Sequence, residues 1–123
     1  MTFKEILKGA LDATPNAFGV AFAAWDGEMV EGLPKRDAYD WAVLTAHYGV
    51  VLANLYAAFG TLHFGAPEMF LARHAGIDVI VTAVDQSYYI LIAMDRPNAD
   101  DDPYADAIAT LARAADLLRK EIA

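Results

Sequence analysis

The sequence predicts an α+β domain of three helices and five strands, in the order α-β-β-α-β-β-β-α. Apolar residues recur at helical spacing in three segments, and five short β-rich runs lie between them. Links of two or three residues separate neighbouring runs, which favours antiparallel hairpins over parallel crossovers. No linker or internal repeat divides the 123 residues, so we expect a single domain spanning residues 1–123.

Composition excludes several classes of function. The chain is 57% hydrophobic, which predicts a folded core rather than disorder. Its formal net charge of −8 disfavours nucleic acid and anionic membranes, which attract clustered Lys and Arg. The sequence has no cysteine, so disulfides, thiol catalysis and thiolate zinc sites are excluded, while the redox compartment stays undetermined.

The first third of the chain predicts a helix followed by a hairpin. Thr2 and Glu5 fit a capping box, in which each side chain would satisfy a free backbone N–H. The helix that follows should end before Pro15. The run "AFGVAFAAW" suits a strand covered on both faces, with Phe18, Val20 and Phe22 on one side and Gly19, Ala21 and Ala23 on the other. Asp26-Gly27 then predicts a hairpin turn, and "EMVEGL" an edge strand that Pro34 stops.

A long helix should begin after Asp37, its predicted N-cap, and reach Gly60. At about 100° per residue it divides into three stripes. The bulky stripe is Trp41, Leu44, Tyr48, Val51, Leu52, Leu55 and Phe59. The small stripe is Ala42, Ala46, Gly49, Ala53, Ala57 and Gly60. The polar line is Asp40, His47, Asn54 and Thr61, bordered by Val43 and Val50. We expect the bulky stripe to cover the chain's own sheet and the small stripe to meet the same helix of a second copy.

The same segment is long enough for a transmembrane helix, but its polar side chains, its two glycines and the lack of a flanking basic cluster favour a soluble helix. The N-terminal residues lack the apolar core of a signal peptide. We therefore expect no membrane span and a cytoplasmic location.

The last third predicts three strands and a helix. The strands are "EMFLARH", "IDVIVTAV" and "YYILIAM". A polar loop follows, with Asp102 as N-cap and Pro103 at the first helical position. Apolar residues of the final helix recur at four-three spacing: Tyr104, Ile108, Leu111, Ala115, Leu118 and Ile122.

No motif for catalysis or for a cofactor is present. The chain has neither GxxxxGK[ST] nor GxGxxG, and its three histidines show no zinc-ligand spacing. Ser87, the single serine, falls in a predicted hairpin turn. "ADDDP" lacks the alternating ligands of an EF-hand, and a hairpin turn accounts for Asp26 and Glu28. We therefore expect no catalytic, cofactor or metal residue.

The arginines are candidates for a role in GTP hydrolysis, because one inserted arginine accelerates that reaction strongly in some GTPase complexes. Arg36 precedes the long helix, and an arginine-finger role for it is a minor alternative to a solubilising charge. Nothing in the sequence distinguishes Arg73 or Arg96 from such a charge.

The element order, the opening "FKEILKGALDATPNAFGVAFAAWDGEMVE" and the closing "AADLLRKEIA" resemble the Roadblock/dynein light-chain family, particularly its bacterial MglB-like members. The features that match are Phe3, Ile6, Leu7, Pro15, Gly19, Asp26 and Gly27. The resemblance covers essentially the whole chain and rests on the order and spacing of individually weak motifs.

This resemblance implies a five-stranded antiparallel sheet, with the middle helix on one face and the terminal helices on the other. It also implies a homodimer in which the second strands pair across the two-fold and the middle helices lie side by side. The expected dimer interface is Met29, Val30, Ala42, Ala46, Gly49, Ala53 and Ala57. No cofactor is implied.

The family's proteins regulate small Ras-like GTPases or serve as adaptors, so the resemblance implies a non-enzymatic regulator or binding platform for such a GTPase. The line expected to face it is Val43, His47, Val50 and Asn54, for which an ordinary solvent-facing stripe is an equal alternative. A nucleotide-independent scaffold of a larger complex is the alternative function. A small-molecule sensor is a third, which the small residues of the first strand disfavour because they indicate tight packing.

Overall fold

The computed structural model describes residues 1–96 and 104–123. Its elements, in chain order, are the helix α1 (Phe3–Ala13), the strands β1 (Ala17–Ala24) and β2 (Met29–Pro34), the helix α2 (Ala38–Phe59), the strands β3 (Met69–Arg73), β4 (Ile77–Ala83) and β5 (Tyr88–Asp95), and the helix α3 (Tyr104–Ile122). The predicted element order is confirmed. Asp102 and Pro103, the predicted start of the last helix, lie outside the described residues.

The five strands form one antiparallel sheet in the order β2-β1-β5-β4-β3. Alternate side chains of the central strands point to opposite faces, as the period of two requires. Val20 and Ile90 face α1 and α3, whereas Ala21 and Leu91 face α2. The predicted layers, with the middle helix on one face and the terminal helices on the other, are confirmed, and β2 and β3 form the two edges.

The face covered by the terminal helices holds the larger core. Leu7 of α1 and Leu118 of α3 are both fully buried in it. Phe3 meets Phe22 edge to face, with ring centroids 5.0 Å apart. This arrangement matches the amphipathic spacing that predicted both helices.

Turn and cap chemistry follows the sequence closely, with one difference. Gly27 has φ of +92°, and the Asp26 side chain accepts a 2.9 Å hydrogen bond from the Glu28 N–H, which confirms the hairpin. The hydroxyl oxygen of Thr2 accepts from the Glu5 N–H at 3.1 Å, as a helix cap does. The Glu5 carboxylate, however, accepts from the Thr2 hydroxyl instead of the Thr2 N–H, so the reciprocal half of the predicted capping box is wrong.

The predicted sidedness of β1 is wrong at one position. Phe18 packs with α2 rather than alongside Val20 and Phe22. The pairing of β1 with β5 shifts between Ala17 and Gly19, which leaves Phe18 as an extra residue. This shift places the Phe18 ring beside Trp41, at a centroid distance of 6.2 Å.

Candidate functional site

The orientation of α2 on the sheet is determined by small and polar residues. The indole of Trp41 lies so close to Gly19 that a Cβ there would sit 2.8 Å from the ring. One turn later Thr45 is fully buried, with its hydroxyl donating to the Trp41 carbonyl at 2.8 Å. The buried Tyr89 hydroxyl donates to the Thr45 carbonyl at 2.7 Å. Asp37 accepts from the Asp40 N–H at 2.9 Å, which confirms it as the N-cap.

The inward face of α2 differs from the predicted bulky stripe. Trp41, Tyr48 and Leu52 are buried as predicted, and Leu44 and Leu55 are partly buried. Val51 and Phe59 are exposed, so the prediction that they cover the sheet is wrong. The helix is rotated toward Thr45 and Gly49, because Tyr89 and the close approach of the β1–β2 turn fix that side against the sheet.

One residue of the predicted dimer interface belongs to the chain's own packing. Gly49 is buried, and a Cβ on it would lie 2.9 Å from the Tyr89 hydroxyl and 3.4 Å from Gly27. Its assignment to an interface with a second copy is therefore corrected: it is glycine because the hairpin turn approaches the helix there. Ala46 is partly buried against the same Gly27.

The other residues of the predicted interface lie at the surface of the single chain. Ala42, Ala53 and Ala57 are exposed on α2. On the edge strand β2, Met29 is partly buried and Val30 is 43% exposed. The pairing of β1 with β2 skips Val30, because Phe22 pairs with Glu31 and Ala23 with Met29. These alanines and the two β2 residues are available to a second chain.

The four residues predicted to face a GTPase form one exposed line along the solvent side of α2. Val50 is 61% exposed and Val43 is 38% exposed, and His47 and Asn54 are exposed between and beyond them. The His47 ring is held on its own helix, because Nδ1 donates to the Val43 carbonyl at 2.7 Å. We define the outer face of α2 as Val43, His47, Val50 and Asn54 together with Ala42, Ala53 and Ala57.

Considered by length and composition, α2 is the one helix within residues 1–96 and 104–123 that could span a membrane. Only 22% of its most apolar window is buried in the single chain, so most of that apolar surface faces outward. A core helix of this hydropathy would be largely enclosed. The outer face of α2 is therefore a candidate surface for binding a partner.

Arg36, the candidate arginine finger, is held by its own chain. Its guanidinium lies 4.0 Å above the centroid of the Phe18 ring and forms a 2.5 Å ion pair with Asp95. Both side chains of that ion pair are about half exposed, so the pair costs little to break. In this arrangement Arg36 lies against its own chain at the protein surface, and the contacts give no support to a catalytic role.

Asp78 is a buried carboxylate that was not predicted from the sequence. Asp78 is fully buried; its Oδ2 accepts from the Tyr104 hydroxyl at 2.5 Å, and its Oδ1 lies 3.5 Å from Arg73 Nε and from Arg96 Nη2. That hydrogen bond also raises the pKa of Tyr104. The sequence does contain a signal for this site, which is an aspartate inside the apolar run "IDVIV". An aspartate buried in such a strand needs partners for its charge. The two arginines that looked like solubilising charges are those partners.

Among the described residues no group of three His, Asp or Glu side chains could hold a metal ion.

His74 contacts the Tyr48 hydroxyl through Nε2, and burial raises the pKa of Tyr48. The turn at Ser87 is structural, because the Asp85 side chain accepts from its N–H at 2.8 Å.

Two open clefts lie at the margins of the sheet rather than in the core. A cleft of about 450 Å³ is bordered by Trp25, Tyr56 and Phe64, and by Arg119, which donates to the Val84 carbonyl at 2.5 Å. A second cleft, of about 350 Å³, lies at the N-terminal end of α2. The contact between Gly19 and Trp41 shows close packing of α2 on β1 at that point.

No family model matches the sequence, and no curated protein is similar to it. Solved structures do match the fold, and 73 chains resemble it. A Roadblock/LC7 domain from Streptomyces avermitilis has a TM-score of 0.79 at 12% identity, covering 96% of this chain and 95% of its own. MglB of Myxococcus xanthus has a TM-score of 0.77 at 14% identity, covering 99% and 98%.

A third structure, described as MglB with tetrameric arrangement, has a TM-score of 0.79 at 15% identity and covers 96% of this chain and 85% of its own. At these identities the likeness concerns the fold. The resemblance found in the sequence is confirmed at that level: the chain has the fold of Roadblock/LC7 domains, with MglB-type structures among those it matches.

Proposed function

We propose that this chain is a non-enzymatic homodimer that binds a small Ras-like GTPase and modulates its nucleotide cycle. One observation carries the proposal: a Roadblock/LC7 fold whose middle helix leaves an apolar outer face exposed. An apolar face of this extent on a single chain marks an interaction surface. The resemblance to MglB-like proteins supplies the class of partner.

Dimerisation in the proposed account uses the alanine side of the outer face. Ala42, Ala53 and Ala57 would let two copies of α2 approach closely, because small side chains allow dense contact between helix backbones. Met29 and Val30 of β2 extend the apolar surface beside them. The register shift at Val30 interrupts the edge, so we assign these two residues side-chain contact with the second copy rather than continuous strand pairing. The solved MglB with tetrameric arrangement shows that a protein of this fold self-associates.

The GTPase would then bind over the two neighbouring helices. Val43 and Val50 provide apolar contact, and His47 and Asn54 provide polar groups between them. The net charge of −8 favours a partner with a basic surface and would accelerate association more than it tightens the complex. In this proposal the catalytic groups for GTP hydrolysis belong to the GTPase, and Arg36 rests on Phe18 and Asp95 of its own chain.

The test uses purified Ras-like GTPases of the source organism, loaded with GDP or with a non-hydrolysable GTP analogue. We expect binding that is stronger with the GTP analogue and a change in the rate of GTP hydrolysis. Val50→Asp should abolish the binding and the change in hydrolysis rate, because it places a charge at the centre of the outer face. Ala112→Asp, at an exposed position of α3, should leave the binding and the rate unchanged.

Two results would contradict the proposal. Binding of equal strength in both nucleotide states would make the protein a nucleotide-independent scaffold, which is the alternative function. Absence of binding to every such GTPase by a chain that is folded would remove the GTPase from the account.

A further inference from the structure

The cleft at the N-terminal end of α2 has apolar walls and an acidic mouth. Phe18, Trp41, Leu44 and Ile77 line it, and its volume is about 350 Å³. That volume is at the lower end of the range for ligand sites and exceeds what one small side chain fills. Asp37, the N-cap of α2, and Asp40, in the first turn of the helix, also line it.

A cation is already stacked on one wall of this cleft. The guanidinium of Arg36 lies 4.0 Å from the centroid of the Phe18 ring. The Trp41 ring stands at 74° to Phe18, so the two aromatic faces meet at nearly a right angle. Aromatic faces attract Lys and Arg cations, and the half-exposed ion pair of Arg36 with Asp95 leaves that arginine displaceable.

The cleft carries uncompensated negative charge. Two carboxylates, those of Asp37 and Asp40, and one guanidinium, that of Arg36, line it. Arg36 pairs with Asp95, and neither Asp37 nor Asp40 forms an ion pair with any residue in the described ranges 1–96 and 104–123. A second cation would therefore find two carboxylates at the mouth.

The cleft is continuous with the outer face of α2. Asp40 and Leu44 of the cleft flank Val43 on the helix, and Tyr39 beside them is 76% exposed. A free amine would use the cleft alone, whereas a protein segment lying on the outer face would reach it with one side chain. The arrangement therefore favours a protein segment.

We propose that this cleft receives a lysine or arginine side chain from a basic segment of the protein partner that covers the outer face of α2. The aliphatic stem packs along the apolar wall of Trp41, Leu44 and Ile77, and the cationic head reaches Asp37 and Asp40. Arg36 occupies part of the same site and competes with the incoming cation. The inference rests on the proposed function for the partner, and it adds the chemistry by which that partner is recognised.

The direct test measures Trp41 fluorescence in the full chain carrying Trp25→Phe, which leaves one tryptophan. The probe is an acetylated, amidated peptide of alternating leucine and lysine, compared with the same peptide carrying glutamine for lysine. We expect saturable binding of the lysine peptide, weakened about fivefold or more by Asp37→Asn with Asp40→Asn and strengthened by Arg36→Ala. Asparagine keeps the helix cap, so the double variant should stay folded.

The matched control is Asp12→Asn with Asp106→Asn, which removes the same charge from exposed positions on the terminal helices. This control should bind the lysine peptide nearly as the parent does. Equal weakening in both double variants would overturn the proposal, because general attraction to an acidic protein would then explain the binding. Equally tight binding of 1,5-diaminopentane would also overturn it, in favour of a free-amine site.

The same variants separate this inference from the proposed function. If a Ras-like GTPase binds the parent and the Asp37→Asn/Asp40→Asn variant with equal affinity, the cleft proposal is wrong and the proposed function stands. If the lysine peptide binds as expected and no such GTPase does, the cleft proposal stands and the GTPase must be replaced by another basic partner.

Discussion

The hydroxyl of Tyr89, on the central strand β5, donates a 2.7 Å hydrogen bond to the carbonyl oxygen of Thr45 in the middle of α2. Both residues are fully buried. The bond joins the sheet to one side of the helix and, with the packing of Trp41 and Leu52, holds that side inward. Thr45 and Gly49 consequently face the sheet, and the line through Val50 faces solvent.

Alkaline pH should weaken the fold through Tyr89. Burial raises the pKa of Tyr89 to about 12, and the nearby Asp26 carboxylate adds to the rise. An unfolded tyrosine titrates near pH 10, so the folded state holds this proton more tightly. Its contribution to stability is therefore complete below about pH 10 and is lost as the pH rises from there toward 12.

Tyr89→Phe isolates this effect. At pH 8 the variant should be less stable by about 1–3 kcal/mol, because the Thr45 carbonyl loses its buried donor. The difference between parent and variant should shrink as the pH rises from 9.5 to 11.5, measured by urea unfolding at each pH. A difference that stays constant across this range would contradict the role assigned to Tyr89.

Gly49 should tolerate no side chain. A Cβ there would lie 2.9 Å from the Tyr89 hydroxyl oxygen, and Tyr89 sits in a packed core. We expect Gly49→Ala to lower the free energy of unfolding by about 1–3 kcal/mol, as overpacking does. Gly9→Ala, in the exposed part of α1 with nothing within 4 Å, should instead stabilise by about 0.5–1 kcal/mol. Equal effects of the two changes in urea unfolding would show that Gly49 is not under steric pressure.

Asp78 should contribute more to the stability of the fold than an exposed ion pair does. Asp78→Asn leaves Arg73 and Arg96 without their shared buried carboxylate, and we expect a loss of about 1–3 kcal/mol, moderated because both arginines are partly exposed. Asp12→Asn breaks an exposed pair with Lys8 and should change stability by less than about 0.5 kcal/mol. Thermal unfolding of both variants tests this, and a loss no larger for Asp78→Asn would contradict it.

The elements were predictable because their signals are local. The cap at Asp37, the turn at Gly27 and the periodicity of the helices each depend on a few neighbouring residues. The face of the sheet on which Phe18 lies was not predictable, because it depends on a register shift between β1 and β5, which are distant in sequence. Asp78 required knowledge of which arginines the fold brings to it.

The candidate site was predictable in part for the same reason. The exposed line of Val43, His47, Val50 and Asn54 emerged from helical spacing alone, and all four are exposed. Gly49 was assigned to the wrong surface because α2 is apolar nearly all round, so hydrophobicity could not define its inward side. Long-range contacts from Tyr89 and Gly27 define that side, and no window of sequence contains them.

The most direct test of the account is the mass of the protein in solution, measured by light scattering at micromolar concentration. A chain of 13.3 kDa should scatter as a dimer. Ala53→Arg, on the exposed alanine side of α2, should lower the mass to that of a monomer while circular dichroism stays unchanged, whereas Ala112→Arg on α3 should remain a dimer. A monomeric parent, or a folded Ala53→Arg variant that still forms the dimer, would contradict the assignment of this face to a second copy.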